Sequence, residues 1–322
     1  MKTIARELLR FLIKPGGGHM KIALVLGGGG ARGLAHLGVL RVLEREKIKF
    51  HFIVGCSFGA IVGGMYAQTP QVELVEKRFR NFVHTRAFQE LGFHLMKKRK
   101  IDEDLYFKQL AHNIRNRVLI NLVINKLAVL KEGRLKNAIA YLLKPGNIED
   151  THIPFACNAT DLISGRPYLF THGDIRKAVQ ASSAIPGIFP PLKLNGKLFS
   201  DGAIIFNIPV PFARALGADY VIAVDVHPTL EPDNNITNVF DVFLRASNIT
   251  GTYLSEKIIE EADLVVRPEV GHFHWSDFEH AEKIVEKGEQ AMEAALERFR
   301  RDVGTGRMGP LRRLFRANRT PQ

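Results

Sequence analysis

The sequence predicts an α/β protein with a mostly parallel sheet that helices cover on both faces. Two short apolar runs, residues 21–26 and 50–54, end at glycines and are typical of buried strands. A helical pattern follows each of them: residues 31–47 repeat apolar side chains at helical spacing, and residues 58–67 are a run of small side chains. Strands and helices that alternate in this order favour a parallel sheet between two helical layers.

The second half of the sequence predicts hairpins, a further strand and two helices. Ser164-Gly165 and Asn195-Gly196 are turn sequences, and each separates two runs of strand-forming residues. Ser276-Asp-Phe-Glu279 fits a capping box, which predicts that the last long helix opens there and runs to about residue 301. The predicted elements are hairpin strands at 155–162, 168–170 and 192–199, a helix at 174–182 and a buried strand at 220–225.

We expect one large domain with an addition at each end of the 322 residues. The N-terminal extension covers residues 1–20, the domain 21–302 and a basic tail 303–322. Residues 72–144 have an amphipathic helical pattern, which predicts a helical insert or cap within the domain. Charges interrupt the first 14 residues, so they predict a short amphipathic helix and not a signal peptide. No apolar run reaches the roughly 18 residues of a membrane span.

The formal net charge of +12 is concentrated in two segments. Residues 97–144 carry twelve Lys and Arg against four Asp and Glu, and residues 298–319 carry eight Arg against one Asp. Such basic segments suit an anionic membrane surface, whereas no helix-turn-helix, zinc or RNP pattern supports nucleic-acid binding. We therefore expect peripheral membrane contact and no nucleic-acid partner, with a merely solvated surface as the alternative.

The cysteine content bears on the cellular compartment. The chain has two cysteines, Cys56 and Cys157, which is too few for a disulfide framework. A reducing compartment follows as the expectation. We therefore expect a cytoplasmic protein, with a peripheral position on the inner face of the membrane as an option.

Gly55-Cys-Ser-Phe-Gly59 matches the pattern G-x-S-x-G at the end of a predicted strand and the start of a predicted helix. A nucleophile on so sharp a turn needs small neighbours two residues away on each side. The turn exposes the hydroxyl and directs the positive helix N-terminus toward a developing anion. Ser57 is therefore the candidate nucleophile, with a tight turn carrying an idle serine as the alternative. Cys56 is expected to pack inward, since the middle residue of the turn is the exposed one.

Residues 27–33, Gly-Gly-Gly-Gly-Ala-Arg-Gly, end the first strand and open a helix. Consecutive glycines let backbone N–H groups converge on one point, as an oxyanion hole or a phosphate cradle requires. A dinucleotide site would need an acid at the end of the next strand, and none lies between Lys47 and Gly63. A P-loop would need a following Gly-Lys-Ser/Thr, which is also missing. Arg32 is a candidate contact for an anionic head group, with loop stiffening or a structural salt bridge as alternatives.

Asp201-Gly202-Ala203 follows a predicted hairpin strand. Asp-Gly is most often a turn, so Asp201 gains weight only as a base for Ser57. A Ser-His-Asp triad is the nearest rival, with His227 best placed by chain order. His272 and His274 could be a metal pair, but no acid cluster accompanies them at helical spacing.

The glycine loop, the G-x-S-x-G turn and the Asp-Gly-Ala sequence, taken together and in this order, resemble the patatin-like phospholipase family. The resemblance runs from about residue 21 to the last helix and is closest to compact bacterial members, which are similar to the catalytic domain of neuropathy target esterase. Further similar stretches are 159–162, 181–191, 207–209 and 217–225. The extension, the insert and the tail match nothing in the family pattern.

The resemblance implies a three-layer α/β/α fold and a Ser–Asp dyad that acts on a lipid or other acyl ester. Ser57 would attack the acyl carbonyl, and Asp201 would accept the Ser57 proton directly. For that role, burial would have to raise the pKa of Asp201. The N–H groups of Gly28, Gly29 and Gly30 would hold the oxyanion, and water would then release the acid from an acyl-enzyme. No metal or cofactor is needed. The alternative from another class is a regulator that binds lipid or a partner protein on the same fold.

Overall fold

A computed structural model of the chain describes residues 20–93, 127–131, 133–230, 232, 236–237 and 239–304. These residues form one eight-stranded sheet with helices against both of its faces. The predicted N-terminal extension, except Met20, lies outside the described residues. So do residues 94–126 of the predicted insert and the tail beyond Gly304.

The sheet has a parallel centre and antiparallel strands on one side. Its order is β5-β6-β3-β2-β1-β7-β8, and β4 pairs with β3. Strands β3, β2, β1, β7 and β8 are parallel, while β4, β5 and β6 join as antiparallel hairpin strands. The bounds are β1 Ile22–Leu26, β2 Phe52–Gly55, β3 Phe155–Asp161, β4 Arg166–Phe170, β5 Leu192–Leu194, β6 Lys197–Asp201, β7 Tyr220–Val224 and β8 Leu264–Val266.

The helices connect these strands. Single turns of 3-10 helix occur at Gly30–Leu34, Ile148–Asp150 and Phe278–His280. The α-helices are α1 Ala35–Arg45, α2 Phe58–Gln68, α3 Val72–Phe82, α4 Arg86–Gln89, α5 Arg134–Leu142, α6 Ile175–Ser182, α7 Ala203–Phe206, α8 Val210–Ala215, α9 Val239–Ile259 and α10 Ala281–Gly304.

Alternate side chains of each central strand enter two different cores. On β1, Leu24 belongs to a large core with α1, α2 and α10, and Val25 belongs to a smaller core with α8 and the end of α9. Because both faces are covered, all five residues of β1 are buried. This explains why the strand sequence is continuously apolar and does not alternate.

Helices α1 and α10 cross closely over the larger core. At the crossing, Gly38 lies against the backbone of Val285, and Gly288 lies against the backbone of Ala35. A methyl group on either glycine would collide with the backbone of the other helix. This contact fixes α1, and α1 in turn follows directly from the glycine loop.

Most predicted elements are confirmed, with three differences. The helix predicted at 31–47 is a 3-10 turn, Gly30–Leu34, followed by α1, Ala35–Arg45. The capping box at Ser276 is wrong: the Ser276 Oγ pairs with His274 Nδ1 at 2.7 Å, and α10 opens only at Ala281. Strand β8 and helices α7, α8 and α9 were not predicted.

Within residues 72–144, predicted as a helical insert, the structure describes helices α3, α4 and α5, while residues 127–131 include an isolated bridge from Ala128 to Gly187. Within the described ranges, no helix combines the length and the apolar character that crossing a membrane requires.

Candidate active site

Ser57 lies on a sharp turn between β2 and α2. Its backbone has φ 51° and ψ −121°, a conformation that costs a non-glycine residue energy and is concentrated at functional sites. A Cβ atom on Gly55 would lie 2.6 Å from the Cα of Ala60, and one on Gly59 would collide with the carbonyl of Leu26. The two glycines of G-x-S-x-G are therefore required by sterics, as the sequence predicted.

Sheet register brings Asp201 to the level of Ser57. Gly55, the last residue of β2, pairs with Cys157 on β3, and Ala159, two residues further along β3, pairs with Asp201 on β6. The Ser57 Oγ donates a hydrogen bond to Asp201 Oδ2 at 2.7 Å, and both residues are buried. The two predicted site residues are thus in direct contact.

The second carboxylate oxygen of Asp201 is held by its own loop. Oδ1 accepts the Ala203 N–H at 2.8 Å and the Cys56 thiol at 3.8 Å. Burial raises the pKa of Asp201 to about 6, against the hydrogen bonds from Ser57, Ala203 and Cys56, which favour the charged form. At pH 7 the carboxylate is therefore mostly ionised but more basic than an exposed aspartate.

Two serines that sequence reasoning did not single out hold the backbone of the turn. The Ser57 N–H donates to Ser182 Oγ at 2.9 Å, and the Ser183 hydroxyl donates to the Ser57 carbonyl at 3.2 Å. These bonds fix the strained residue from both sides. The only signal in the sequence was that both serines lie in the family-like stretch 181–191.

The glycine loop lies against Ser57, and its N–H groups differ in availability. A Cβ on Gly28 would be 3.1 Å from the Ser57 Cβ. Gly27 N–H donates to Val224 O at 3.1 Å, and Gly28 N–H donates to Asn207 O at 3.0 Å. Gly29 and Gly30 N–H have no acceptor within the described part of the chain. Of the three expected oxyanion donors, Gly28 N–H already has an acceptor, so Gly29 N–H and Gly30 N–H remain the candidates.

Arg32 is buried next to this loop. Arg32 is only 6% exposed, and its Nε donates a hydrogen bond to the Gly29 carbonyl at 3.3 Å. This contact favours the loop-stiffening alternative over contact with an anionic head group.

Neither the rival nucleophile nor the rival base is placed to act as one. Cys56 is fully buried, as expected, and burial raises the pKa of its thiol. His227 is exposed and bonds the adjacent Pro228 carbonyl through Nδ1 at 2.8 Å. His274 bonds Ser276, and no cluster of three metal-ligating side chains occurs in the ranges that the structure describes.

An apolar pocket opens beside Ser57. It holds a cavity of about 60 Å³, and Phe278 packs against several other rings at its wall. The Phe278 ring centroid is 5.0 Å from that of Phe93, 5.3 Å from that of Phe88 and 6.0 Å from those of Phe58 and Phe79. Ligand pockets usually measure roughly 300–1,000 Å³, so a long chain must displace these rings to enter.

The chain is similar to one known protein family and to several known proteins. A family profile described as Patatin-like phospholipase matches residues 24–214, which is more than half of the chain. A putative patatin-like phospholipase domain-containing protein of Caenorhabditis elegans is 33% identical over 64% of this chain. An uncharacterised NTE family protein of Mycobacterium tuberculosis is 29% identical over 67%, and Lysophospholipase NTE1 of Mycosarcoma maydis is 31% identical over 64%. The matches cover 17%, 53% and 10% of those three proteins, so the chain spans at most about half their length.

Proposed function

The chain belongs to the patatin-like phospholipase family, and on that premise we propose that it is a serine acyl-hydrolase that cleaves lipid esters with a Ser57–Asp201 dyad. The observation that carries the proposal is the direct 2.7 Å hydrogen bond from the Ser57 hydroxyl to Asp201 Oδ2. A serine hydroxyl becomes a useful nucleophile when an adjacent base accepts its proton, and here the base is a carboxylate with a raised pKa.

The first half of the reaction forms an acyl-enzyme. Ser57 Oγ attacks the acyl carbonyl carbon while its proton moves to Asp201 Oδ2. The negative charge that develops on the carbonyl oxygen is held by the N–H groups of Gly29 and Gly30 and favoured by the N-terminus of α2. Collapse of the tetrahedral intermediate breaks the ester bond, and Asp201 returns the proton to the leaving alcohol.

The second half reverses these roles with water. Asp201 accepts a proton from a water molecule, whose oxygen attacks the acyl carbon on Ser57. The intermediate collapses to a free acid, and the proton returns to Ser57 Oγ. No step in this cycle requires a metal or a cofactor.

The pocket indicates the substrate class. Besides Ser57 and Gly30 at one end, its wall is made almost wholly of aliphatic and aromatic side chains, as an acyl chain requires. We infer an ester of the phospholipid or lysophospholipid type. The similarity to the fungal protein Lysophospholipase NTE1 supports this inference.

The test is hydrolysis of p-nitrophenyl esters and of lysophosphatidylcholine by the full chain. The wild type should turn over and should be labelled at Ser57 by a fluorophosphonate probe, whereas Ser57→Ala should lose both. Ser255→Ala, which changes a serine on α9, is the matched control and should keep both. No turnover and no labelling in a folded wild type would favour the non-enzymatic regulator instead.

We further propose that the enzyme works at the cytoplasmic face of an anionic membrane. The two segments with the strongest basic excess lie largely outside the described residues. The net charge of +12 and two buried free cysteines are the supporting observations. Vesicle binding that increases with anionic lipid and weakens with salt would be the expected result.

A further inference from the structure

The peptide between Gly27 and Gly28 is held at both ends by groups from outside the loop. His36 on α1 bonds the Gly27 carbonyl through Nε2 at 2.8 Å, and Gly28 N–H donates to the Asn207 carbonyl at 3.0 Å. No peptide bond among the described residues is cis, so the C=O and N–H of this trans unit point in opposite directions. Hydrogen bonds to His36 and Asn207 therefore hold the peptide from two sides.

His36 has no other described hydrogen-bond partner than the Gly27 carbonyl. His36 is fully buried, and its Nδ1 has no partner in the described part of the structure. Since the carbonyl can only accept, Nε2 must carry the proton. Burial lowers the pKa of His36 to about 4, so the imidazole is neutral in the working pH range and is no base for Ser57.

We propose that His36 is a positioning residue of the oxyanion hole: it fixes the Gly27–Gly28 peptide so that the next two N–H groups, of Gly29 and Gly30, stay unpaired beside Ser57. This proposal rests on the proposed acyl-hydrolase function. Without the His36 bond, the Gly27–Gly28 peptide could rotate about bonds that glycine leaves free, and the two donors would lose their fixed direction. We expect the positions of Ser57 and Asp201 to be unchanged, because the described hydrogen bond of His36 goes to Gly27 and not to either of them.

The test compares His36→Gln with His36→Asn. A glutamine amide can place its N–H near the position of Nε2, whereas the asparagine amide is too short to reach the Gly27 carbonyl. We expect His36→Gln to retain most activity. His36→Asn should lose kcat roughly tenfold or more, which is less than the roughly 10²–10³-fold cost of removing a donor itself.

Two further readouts distinguish positioning from a general loss of structure. KM of His36→Asn should stay within about twofold of the wild type, because the donors act mainly in the transition state. The affinity for a lipid trifluoromethyl ketone, whose adduct with Ser57 carries an oxyanion, should fall by the same factor as kcat. The acid limb of the pH profile should be unchanged in both variants, since it belongs to Asp201.

The outcomes are separable from those of the proposed function. An inactive, unlabelled wild type would refute the acyl-hydrolase itself. An active wild type with equal kcat in folded His36→Gln and His36→Asn would refute the positioning role alone. An acid limb that disappears in His36→Gln would also refute it, because His36 would then be a proton-transfer group.

A separate observation concerns a basic cleft, defined here by Lys77 and Arg78 of α3, Tyr141 of α5, Lys144 and Arg176. The cleft has a volume of about 540 Å³, and no carboxylate is among the described residues that line it. Arg78 donates to Leu142 O at 3.1 Å, and Arg176 donates to Leu143 O at 2.9 Å. These bonds to the end of α5 hold the guanidinium groups in place and leave further N–H donors on each.

The cleft lies on the outer side of the helices that form the acyl pocket. The wall of that pocket includes Phe79 and Phe82 from α3, together with Leu135 and Ile139 from α5. On the other side, Leu74 is 45% exposed and Tyr141 is 41% exposed beside the four cations. Cations next to exposed apolar side chains fit a lipid interface, where phosphate and acyl groups meet.

We propose that the basic cleft binds the phosphate of a lipid head group and docks this side of the enzyme on an anionic membrane. The test uses Lys77→Glu/Lys144→Glu, which changes two exposed side chains. The matched control is Lys49→Glu/Lys193→Glu, with the same charge change on exposed lysines outside the cleft. Sedimentation with phosphatidylcholine vesicles, with and without phosphatidylglycerol, measures docking. Hydrolysis of a soluble p-nitrophenyl ester checks the active site.

We expect the cleft variant to lose most binding to the anionic vesicles and the control to keep it, with ester hydrolysis unchanged in both. Equal losses in the two variants would show that only net charge matters, and would overturn the site. Titration calorimetry with inorganic phosphate tests whether the cleft binds free phosphate instead of the phosphate of a lipid. Saturable phosphate binding that the cleft variant loses, without vesicle binding by the wild type, would overturn the membrane assignment.

Discussion

The Ser57 hydroxyl and the Asp201 carboxylate meet at 2.7 Å although 144 positions separate them in the sequence. Ser57 lies on the turn that follows β2, and Asp201 is the last residue of β6; these two strands flank β3, one parallel to it and one antiparallel. The sharp turn at Ser57 directs its hydroxyl to Asp201 at the end of β6. The direct bond leaves no place for an imidazole between the two groups.

Replacing Asp201 tests the dyad. Asp201→Asn is nearly isosteric but cannot accept the Ser57 proton, so we expect kcat to fall roughly 10²–10⁴-fold, as loss of a general base does. Circular dichroism should show an unchanged fold. His227→Ala is the matched comparison and should keep most activity. A His227→Ala enzyme as inactive as Ser57→Ala would establish a triad instead.

The pH dependence of kcat/KM should report the ionisation of Asp201. The base must be charged, and burial raises its pKa to about 6. We therefore expect kcat/KM to rise with pH and to level off above an apparent pKa near 6. A profile that is flat from pH 5 to 8, measured with a substrate that does not titrate, would contradict this role.

The same shift predicts how stability changes with pH. The folded pKa of Asp201 lies above the unfolded value of 3.8, so its contribution is fully present below pH 3.8 and is lost as pH rises through about 6. The asparagine of Asp201→Asn does not ionise, so the variant does not lose stability in this way as the pH rises. Its stability relative to the wild type should therefore increase between pH 4 and 7, by up to about 3 kcal/mol. Urea unfolding at a series of pH values measures the difference, and a constant or opposite trend would rule the shift out.

A side chain at Gly29 should disturb the oxyanion hole in a way that a second change can repair. The added Cβ would lie 2.6 Å from Val226 Cγ2, so the loop must move in Gly29→Ala. We expect kcat to fall by roughly 10²-fold, the cost of one misplaced donor. Gly29→Ala/Val226→Ala removes the colliding methyl group and should regain part of the activity. Failure of the double variant, with Val226→Ala alone active, would mean that the collision is not the cause.

Phe278 should limit the acyl chains that the pocket accepts. Its ring contacts aromatic side chains around a cavity of only about 60 Å³. Phe278→Ala should raise kcat/KM for long-chain p-nitrophenyl esters relative to the butyrate, because it removes a ring that packs against several others at the pocket wall. Phe212→Ala is the control, because Phe212 pairs with Phe206 at the smaller core, away from the pocket. It should leave the preference unchanged. An unaltered chain-length preference in Phe278→Ala would place the acyl chain elsewhere.

The features that the sequence predicted well depend on local chemistry. Continuous apolar runs predicted β1, β2 and β7, and turn sequences predicted the two hairpins, because strand burial and turn geometry act over a few residues. The capping box failed because the Ser276 hydroxyl is engaged by His274. Strand β8 was missed because three residues, Leu264–Val266, are too few to show a period.

The sequence by itself determined the fold class and the family. It identified Ser57 because G-x-S-x-G and the glycine loop are steric requirements visible within a few positions, and it identified Asp201 through the resemblance to the family. Only the tertiary structure decided which loop groups are available. Gly28 N–H is paired by Asn207, the Gly27 carbonyl by His36, and the Ser57 backbone by Ser182 and Ser183. Each of these partners is remote along the chain or lies on a neighbouring helix face. A hydrogen bond at 3 Å depends on strand register and helix packing, which local sequence patterns do not specify.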